Sequence, residues 1–544
     1  MKNTNFFGKP FWKNPRIIII IIFTILGVTS GVCGYLKTDD VTFFDALYDT
    51  FQLFLMQHIF KQTPDSLIDI SRWLIFVVVI LLSVEIVLLT VPEQLKLLKI
   101  RLFYRNHIII CGLTEKSLEI ARRYSDQKKI FIDNDPIHPL HRSLPDSNTK
   151  LLIGDYNSKT ILKLAKIYKA KVVFVFTGND KKNVEIAQVV SSILENANRE
   201  NALRCFVPIA DRELKTILEE ATLFKYKTKN FDGILFNINK IGIKYSVCMN
   251  IEKILPANIE TSPEILMVGL TEKTENVILN LAHCLTMQRN IFRFTVIEEN
   301  ETIINSFKKK YHYLKDFVEI EMLNNVEKVC TKKIFQSIFI GTEKQTDAII
   351  QAVEIRYLLG KNIPNILLFC NDVDTFNIVL KKELENKNIF PINLFGQLAD
   401  YVFELDKNIE NKAKEAHRFW NNIYKMNTEW DSLSEHFKQS SRNQILDNNL
   451  KSYIAFGNKD GDFKNSEIMF SDNERETLAM MEHRRWVIEK YENGWVFGER
   501  DNEFKRHNCL ETWEKLSEEQ QAKDYDTIDL MITFLKKTTA FLDK

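Results

Sequence analysis

The side chains with the clearest chemistry lie near the end of the sequence, where tryptophans are interspersed with basic residues. A pocket for an adenine nucleotide needs aromatic faces for the base and fixed cations for the phosphates. The candidates for this role are Arg485, Trp486, Trp495, Arg500, Lys505, Arg506 and His507. In the alternative interpretation, the tryptophans form a small helical core and the basic residues are its solvated face.

A second candidate site begins at Gly112, directly after the apolar stretch 106–111. A glycine at a strand–helix turn lets an anion approach the helix N-terminus, and an acid about twenty positions later meets ribose hydroxyls. Asp133 has that spacing, but Thr114 and Ser117 occupy the second and third glycine positions of the fingerprint. A tight turn without any ligand is therefore the alternative.

Polar residues also occur in the most apolar part of the chain. Gln57 and His58 lie between two apolar segments, and Glu85 interrupts the second of them. A carboxylate such as that of Glu85 is costly inside a membrane span unless it faces water or a partner. All three polar residues are therefore candidate pore residues. Alternatively, Glu85 bonds to a neighbouring helix.

The sequence contains no recognisable catalytic or metal-binding motif. Its eight cysteines are scattered without a Cys-x-x-Cys pair, and no carboxylate stands in a readable motif with histidine, cysteine or serine. We therefore predict no catalytic residue, no metal and no enzymatic activity. An NAD-dependent enzyme has the least support, because we find no separate substrate domain that carries an acid or base.

The elements that position these residues must form several domains, because 544 residues exceed one compact domain. The 73 Lys and Arg balance the 72 Asp and Glu, so charge gives no reason to expect a nucleic-acid partner. We predict a membrane module at 1–105, α/β domains at 106–255 and 256–405, and a mainly α-helical domain at 406–544.

The membrane module contains two apolar segments, 17–36 and 73–91, that are long enough to span a bilayer as helices. Basic residues precede the first and follow the second, whereas the connection carries aspartates. This pattern predicts a two-helix protein of the inner membrane, in contact with lipid, with both termini in the cytoplasm. Pro92 is expected to end the second helix. A cleaved signal peptide is the alternative for the first segment, but no small-residue cleavage site follows it.

The connection between these segments is unusually aromatic from 43 to 60, which favours an amphipathic or re-entrant helix. Phe44-Asp45-Ala46-Leu47-Tyr48 resembles the start of the pore helix in two-helix potassium channels. Residues 54–60 contain no glycine, so the carbonyl filter of those channels is absent and potassium selectivity is unsupported. The alternatives are a pore of altered selectivity and a membrane anchor with an interfacial helix.

Two α/β units follow in tandem. Gly112-Leu113-Thr114-Glu115-Lys116 recurs 157 positions later as Gly269-Leu270-Thr271-Glu272-Lys273, each time after an apolar strand. The first unit continues with Gly154-Asp155 and with Thr177-Gly178-Asn179-Asp180, and it resembles the RCK domain, a Rossmann unit that regulates potassium conductance. The second unit reads as a degenerate copy of it.

The RCK resemblance implies a nucleotide cleft and a ring of domains that pulls on pore helices, with a homotetramer as the assembly. In this sequence the cleft residues would be Gly112, Thr114, Asp133, Asp155 and Asp180. Both units could instead be dimerisation scaffolds with empty clefts.

The pattern becomes helical from about Ala413 and is rich in tryptophan and charge. The segment from roughly 474 to 530, with Glu482-His483-Arg484-Arg485-Trp486 and Gly494-Trp495-Val496-Phe497-Gly498, resembles a ryanodine-receptor (RyR) repeat. His417-Arg418-Phe419-Trp420, followed by Trp430, is a weaker echo of it and a candidate for its paired half. Bacterial chains with this repeat resemble nucleotide-signal sensors of defence systems.

The predicted fold class is a membrane α-helical hairpin, two α/β Rossmann-like (RCK) domains and a mainly α RyR-like domain. The predicted function is a nucleotide-gated ion channel or membrane-permeabilising effector in bacterial antiphage defence. Its ligand would be a nucleotide second messenger, either a cyclic nucleotide or an adenine nucleotide derivative. The alternative is a non-conducting, membrane-anchored nucleotide sensor that regulates a separate transporter.

Overall fold

The computed structural model describes residues 15–38, 41–55, 66–145, 148–257, 259–330, 332–342, 344–359, 364–370, 378–457 and 470–542. The chain divides into two compact units, residues 1–103 and residues 104–544. The described part of the first unit is helical, and the second unit contains both parallel sheets.

The N-terminal unit contains α1 (Pro15–Tyr35), α2 (Phe43–Gln52) and α3 (Ser66–Phe103). Segments Ile18–Tyr35 and Ser66–Val84 are long and apolar enough to cross a membrane. The helix expected between them is confirmed for α2, which begins with a capping box between Thr42 and Asp45. The candidate pore residues Gln57 and His58 lie outside the described residues.

The second apolar helix is longer than predicted. Its expected end at Pro92 was wrong, because α3 continues without a break to Phe103. A proline removes one backbone donor and kinks a helix without always ending it, and apolar helices tolerate it when neighbouring groups compensate. Glu85, the third candidate pore residue, lies within α3.

A glycine face on α1 brings this helix close to its neighbours. A Cβ atom at Gly31 would lie 2.6 Å from Ser71 Oγ on α3 and 2.7 Å from Thr50 Cγ2 on α2. Ser71 Oγ also donates a 2.6 Å hydrogen bond to the Gly27 carbonyl oxygen. Small residues and a hydroxyl bond of this kind are typical of helix packing in membranes, where the hydrophobic effect does not drive association between helices.

The first α/β domain has a six-stranded parallel sheet with strand order 3-2-1-4-5-6. Its elements are β1 (His107–Cys111), α4 (Glu115–Arg123), β2 (Lys129–Asp133), β3 (Thr149–Ile153), α5 (Lys159–Leu164), β4 (Ala170–Val175), α6 (Asp180–Leu194), β5 (Leu203–Pro208), α7 (Arg212–Glu219), α8 (Thr222–Lys225), β6 (Phe231–Phe236), α9 (Ile238–Met249) and α10 (Ile251–Ile254). This order is that of a Rossmann fold, and it places the clefts at the carboxyl ends of β1 and β4.

The second α/β domain repeats this topology, since the strand order of its sheet is β9-β8-β7-β10-β11-β12. Its elements are β7 (Glu264–Val268), α11 (Glu272–Leu281), β8 (Arg293–Ile297), α12 (Glu301–Lys310), β9 (Glu319–Leu323), α13 (Val326–Cys330), β10 (Ser337–Ile340), α14 (Gln345–Leu358), β11 (Asn365–Cys370), α15 (Ile378–Glu385), β12 (Ile389–Asn393) and α16 (Leu394–Glu404). The two predicted Rossmann-like domains are therefore confirmed.

The helices that follow the sixth strands are exchanged between the two domains. Helix α9 of the first domain packs on α11 of the second, and α16 of the second packs on α4 of the first. Leu398, Ala399 and Tyr401 of α16 are accordingly part of the buried core of the first domain. The two domains are thus joined by their own apolar helices.

The remaining residues form a helical region with α17 (Glu410–Tyr424), α18 (Glu435–Phe456), α19 (Asp472–Glu492), β13 (Val496–Phe497), β14 (Arg506–His507) and α20 (Glu518–Leu542). The predicted helical character from Ala413 onward is confirmed. This region shares one apolar core with the second α/β domain, in which Leu478, Met481 and Trp495 pack together with Val277 and Phe292.

The helical region consists of two similar halves. In each half, a helix with a His-Arg pair is followed by a one-turn helix that begins with tryptophan, at Trp430 or Trp513, and then by a second long helix. His417 Nε2 contacts the Thr428 carbonyl oxygen at 2.6 Å. His483 Nε2 contacts the Glu511 carbonyl oxygen at 2.9 Å. The structure therefore supports the paired half that the sequence echo predicted.

Candidate functional site

The first candidate cleft is closed by the turn that contains Gly112. This glycine has φ +94°, and a Cβ atom there would lie 2.5 Å from the Phe176 carbonyl oxygen. Only glycine fits at this position, because the backbone directly after β4 lies so close to it. Thr114 caps α4, because its Oγ1 accepts a 3.2 Å bond from the Ser117 amide. The Ser117 Oγ in turn accepts a bond from the Thr114 amide at 2.8 Å.

The acids of this cleft are engaged by the protein itself. Asp133 is 2% exposed, and its carboxylate contacts His141 Nε2 at 3.2 Å. Burial and this carboxylate together raise the pKa of Tyr156 to about 12. Asp180 accepts bonds of 3.0 Å from the amides of Ala210 and Asp211. Only Asp155 is exposed, in the turn after β3.

The second cleft differs from the first at the equivalent glycine. Gly269 has φ +83°, and the nearest atom to a Cβ built there lies 3.9 Å away. Glu298, at the end of β8, accepts a 3.0 Å bond from the Leu270 amide, so its carboxylate is also used within the protein.

The structure thus places the five predicted residues of the first cleft around a turn that is satisfied internally. Their ligand-binding role stays a prediction.

The aromatic candidates of the RyR-like region lie close together. The rings of Trp486 and His507 are 4.9 Å apart at 77°, and those of Trp495 and His507 are 6.4 Å apart. Trp495 is 5% exposed, whereas Trp486 is half-buried. The core interpretation therefore describes Trp495 well, while Trp486 keeps part of its surface available.

His507 offers a neutral donor beside these rings. Its Nδ1 accepts a 3.1 Å bond from the Cys509 amide, so the ring proton is on Nε2. Burial lowers the pKa of His507 to about 4, and the positive charges of Arg500 and Lys490 act in the same direction. An uncharged imidazole is thus held among cations.

Lys490 is the member of this cluster that sequence reasoning missed. It lies four residues after Trp486 on α19, and its Nζ is 4.1 Å from the Trp495 ring centroid, 4.9 Å from that of Phe437 and 5.7 Å from that of Trp486. The side chain is only 5% exposed. The i, i+4 spacing from Trp486 was the available signal, because residues so spaced share a helix face.

The other basic candidates lie on the connection 493–512 between α19 and the following one-turn helix. Arg500 and Arg506 are exposed, and Lys505 Nζ lies 3.4 Å from the Asn493 carbonyl oxygen. In the described part of the chain, none of these three side chains forms an ion pair with a carboxylate. The connection carries four acids, Glu499, Asp501, Glu503 and Glu511, against these three cations, so it supplies cationic side chains but no net positive charge.

Arg485 is separated from this cluster by the geometry of α19. It is 5% exposed, and its guanidinium contacts Glu482 Oε1 at 2.7 Å and Glu489 Oε2 at 2.6 Å. Although burial alone would raise the pKa of Glu489, the Arg485 charge lowers it to about 2. The charge of Arg485 is therefore already balanced inside the protein.

A buried ionic network extends from this pair into the second α/β domain. Lys451 Nζ contacts Glu482 at 2.6 Å and Asp447 at 2.8 Å. Asp447 in turn contacts His283 Nε2 of the second domain at 2.8 Å. Burial lowers the pKa of His283, and Asp447 acts in the opposite direction.

Helix α19 also contacts both α/β domains directly. Arg484 donates hydrogen bonds to the carbonyl oxygens of Ala282, at 2.8 Å, and His283, at 3.2 Å. On the other side, Glu492 contacts Lys240 of α9 at 3.1 Å. A displacement of α19 would therefore change its contacts with both domains.

A cavity of about 80 Å³ lies where these three regions meet. Asn237 and Lys244 of the first domain, Asn276 of the second and Glu489 of α19 are among its lining residues. Sites for drug-sized ligands measure roughly 300–1,000 Å³, so this cavity does not have the size of a nucleotide site.

Two family models match segments of the chain. Residues 108–225 match the TrkA-N domain, and residues 462–543 match the RyR domain. These segments coincide with most of the first α/β domain and with the second half of the helical region. No curated protein matches the chain.

Solved structures that are similar to the chain include a channel and a gating ring. The GsuK structure bound to ADP has 12% identity and a TM-score of 0.36, and the match covers 72% of this chain and 98% of that one. The human SLO3 gating ring has 9% identity and a TM-score of 0.37, and the match covers 55% and 81% of the two chains. A shikimate 5-dehydrogenase from Mycobacterium fortuitum has 10% identity and a TM-score of 0.29, with 55% and 91% covered.

Proposed function

We propose that this protein is a membrane-attached nucleotide sensor whose RyR-like region receives the ligand and whose membrane helices provide the output. The observation that carries the proposal is the cluster around Trp486. An aromatic face, a neutral imidazole donor and several cations that form no ion pair with a carboxylate of the described residues meet there. These are the groups that a nucleotide base and its phosphates require.

The contacts of α19 support a coupling between this cluster and the α/β domains. One face of the helix carries Trp486, and other positions contact the second domain through Arg484 and the first through Glu492. A ligand shifts a conformational equilibrium only by its difference in affinity for the two states. Helix α19 is placed to convert such a difference into a displacement of the domains.

For the output, we propose a homotetramer in the inner membrane, with both termini in the cytoplasm, that opens a pore or permeabilises the membrane. The two apolar helices and their glycine-mediated packing support a membrane module. A role in bacterial antiphage defence rests on the RyR resemblance. The signal would then be a cyclic nucleotide or an adenine nucleotide derivative.

A second candidate is a non-conducting sensor that is anchored by the same helices and regulates a separate transporter. The segment 54–60 favours it, because no glycine stands where a potassium filter needs one. The RyR-like site would have the same role in both candidates, and only the output differs.

The deciding experiment is a measurement of current through planar bilayers that contain the purified full-length protein. Linear nucleotides, cyclic nucleotides and NAD are added in turn, and reversal potentials are read in potassium, sodium and chloride gradients. We expect a ligand-dependent current whose half-maximal concentration rises at least about tenfold in Arg500→Gln. Lys515→Gln, which changes an exposed lysine elsewhere in the domain, is the control.

Silence with every ligand, from protein shown to be folded and inserted, would contradict gating. It would favour the anchored sensor, provided that nucleotide binding to the same preparation is detected. A current that is unchanged in Arg500→Gln would instead remove the RyR-like cluster as the site and direct attention to the α/β clefts.

A further inference from the structure

Lys490 is a buried cation that lacks the anion normally found beside one. It is 5% exposed, and among the described residues it forms no ion pair. A buried lysine is rarely found without a carboxylate partner, because removing an ammonium from water is costly. Arg485, one turn earlier on α19, shows the usual solution with its two glutamates.

The rings around Lys490 compensate for only part of this cost. Three aromatic faces lie 4.1–5.7 Å from its nitrogen, and each cation–π contact contributes about 0.5–2 kcal/mol. The one polar partner of its nitrogen in the described part of the chain is His436 Nε2 on α18, at 3.5 Å. An ammonium has three N–H donors, so at least part of its hydrogen-bonding capacity is unused.

The groups that face Lys490 leave a local excess of positive charge. They are Arg485 and Glu489 on α19, Arg500, Lys505 and His507 on the connection, and His436 on α18. The acid nearest to Lys490 is Glu489, whose carboxylate is held by Arg485. Glu219 and Glu220, at the end of α7, act on His436 and Lys505, but they are paired with Lys215 and Lys225. A ligand with two or more negative charges would complete this arrangement.

We propose that Lys490 is the phosphate anchor of this site and that, with Arg500 and the Nε2–H of His507, it holds a pyrophosphate or other multiply charged phosphate group. The assignment deepens the proposed function, because it gives the ligand a charge of at least two and names the cation that binds it. A base packed against the exposed part of Trp486 would then lie within one nucleotide length of the anchor.

The charge of this anchor depends on pH. Burial lowers the pKa of Lys490 to about 8, with Glu489 acting in the opposite direction and Arg500 in the same direction as burial. The ammonium that binds phosphate is therefore lost as the pH rises above about 8. Affinity for a phosphate ligand should fall there by up to about tenfold per pH unit.

The test is isothermal titration calorimetry of the full-length protein in detergent with inorganic pyrophosphate and with ADP at constant ionic strength. Lys490→Gln removes the charge, Lys490→Arg retains it, and Lys515→Gln is a control of the same chemical type on the surface. We expect Lys490→Gln to bind pyrophosphate at least about tenfold more weakly. Lys490→Arg should keep most of the affinity and lose its decline between pH 7.5 and 9, because arginine stays charged.

Equal pyrophosphate affinity in Lys490→Gln and the wild type would overturn the assignment, as would a wild type that binds no pyrophosphate. Circular dichroism of each variant establishes that it is folded. If pyrophosphate binds through Lys490 but no nucleotide produces a current or binds more tightly than pyrophosphate, the anchor stands and the proposed sensing function fails.

Discussion

The two halves of the helical region share one architecture but differ in the residues around the tryptophan of the first long helix, which is Trp420 in the first half and Trp486 in the second. In each half the histidine of the His-Arg pair packs against the tryptophan of the one-turn helix, with ring centroids 5.7 Å apart for His417–Trp430 and 5.9 Å for His483–Trp513. The connection in the first half consists of residues 425–429, whereas that in the second is 493–512. The longer connection carries Arg500, Lys505 and His507.

The residue four positions after the helix tryptophan shows the difference most clearly. In the first half Tyr424 stacks on Trp420 at 5.0 Å and donates a hydrogen bond to Asp526 at 2.6 Å. In the second half the same position is Lys490, a cation without a carboxylate partner among the described residues. At this position the first half thus has a tyrosine whose hydroxyl is bonded within the protein, whereas the second half has a cation that an anion can approach.

The largest effect is expected at the buried arginine that each half contains, Arg442 on α18 and Arg485 on α19. Arg485 is held by Glu482 and Glu489, and Arg442 contacts Glu410 at 2.7 Å and also Glu435. Replacing Arg485 by methionine leaves the buried Glu489 without its cation, and replacing Arg442 leaves Glu410 and the buried Glu435 without theirs. Arg485→Met and Arg442→Met should each lower the free energy of unfolding by about 3–5 kcal/mol. Denaturant unfolding in detergent, followed by tryptophan fluorescence, measures this.

Arg500→Met is the control for these variants, because Arg500 is exposed and its loss should change stability by less than about 0.5 kcal/mol. If Arg485→Met unfolds at the wild-type denaturant concentration and loses pyrophosphate binding, Arg485 acts on the ligand, as the sequence predicted. The comparison of the two halves would then be wrong at this position.

Much of the fold could be predicted from local patterns. The repeated Gly-Leu-Thr-Glu-Lys string marks equivalent turns, and both glycines, Gly112 and Gly269, have positive φ because the turn requires it. The exchange of α9 and α16 could not be predicted in this way. An apolar helix face indicates burial, but it does not identify which of two similar domains covers that face.

The candidate site was less predictable, since its decisive property is burial. Trp486 and His507 were identified by residue type, and the structure brings them together. A lysine near the end of a helix is ordinarily solvated, so Lys490 gave no signal of its own until the rings of Trp495 and Phe437 were seen around it. The glutamates three positions before and four after Arg485 did carry a signal, namely that its charge is paired along the helix.

A smaller effect is expected at the arginine of each His-Arg pair, where the halves diverge. Arg484 bonds to backbone carbonyl oxygens of the second α/β domain, whereas Arg418 is exposed. Arg484→Ala leaves those carbonyls without donors and should cost about 2–3 kcal/mol in unfolding free energy. Arg418→Ala should change the free energy of unfolding by less than about 0.5 kcal/mol. Equal costs would show that the first half also contacts a partner domain through this position.

The smallest effect has the opposite sign and is specific to the second half. Lys490→Met should stabilise the ligand-free protein by about 2 kcal/mol at pH 7, because the buried ammonium is replaced by an apolar side chain of similar volume. The pKa of Lys490 is about 8 in the folded chain and 10.5 in the unfolded one. The unfolded chain therefore binds more protons between these values, and wild-type stability gains from rising pH there. The advantage of Lys490→Met should accordingly shrink from pH 8 toward pH 10, as measured by thermal unfolding.

Tyr424→Met, at the matching position, should show no such decline between pH 7 and 9. A pH-independent difference for Lys490→Met would mean that the pKa of the lysine is the same in the folded and unfolded chains, and the two halves would then differ in packing alone.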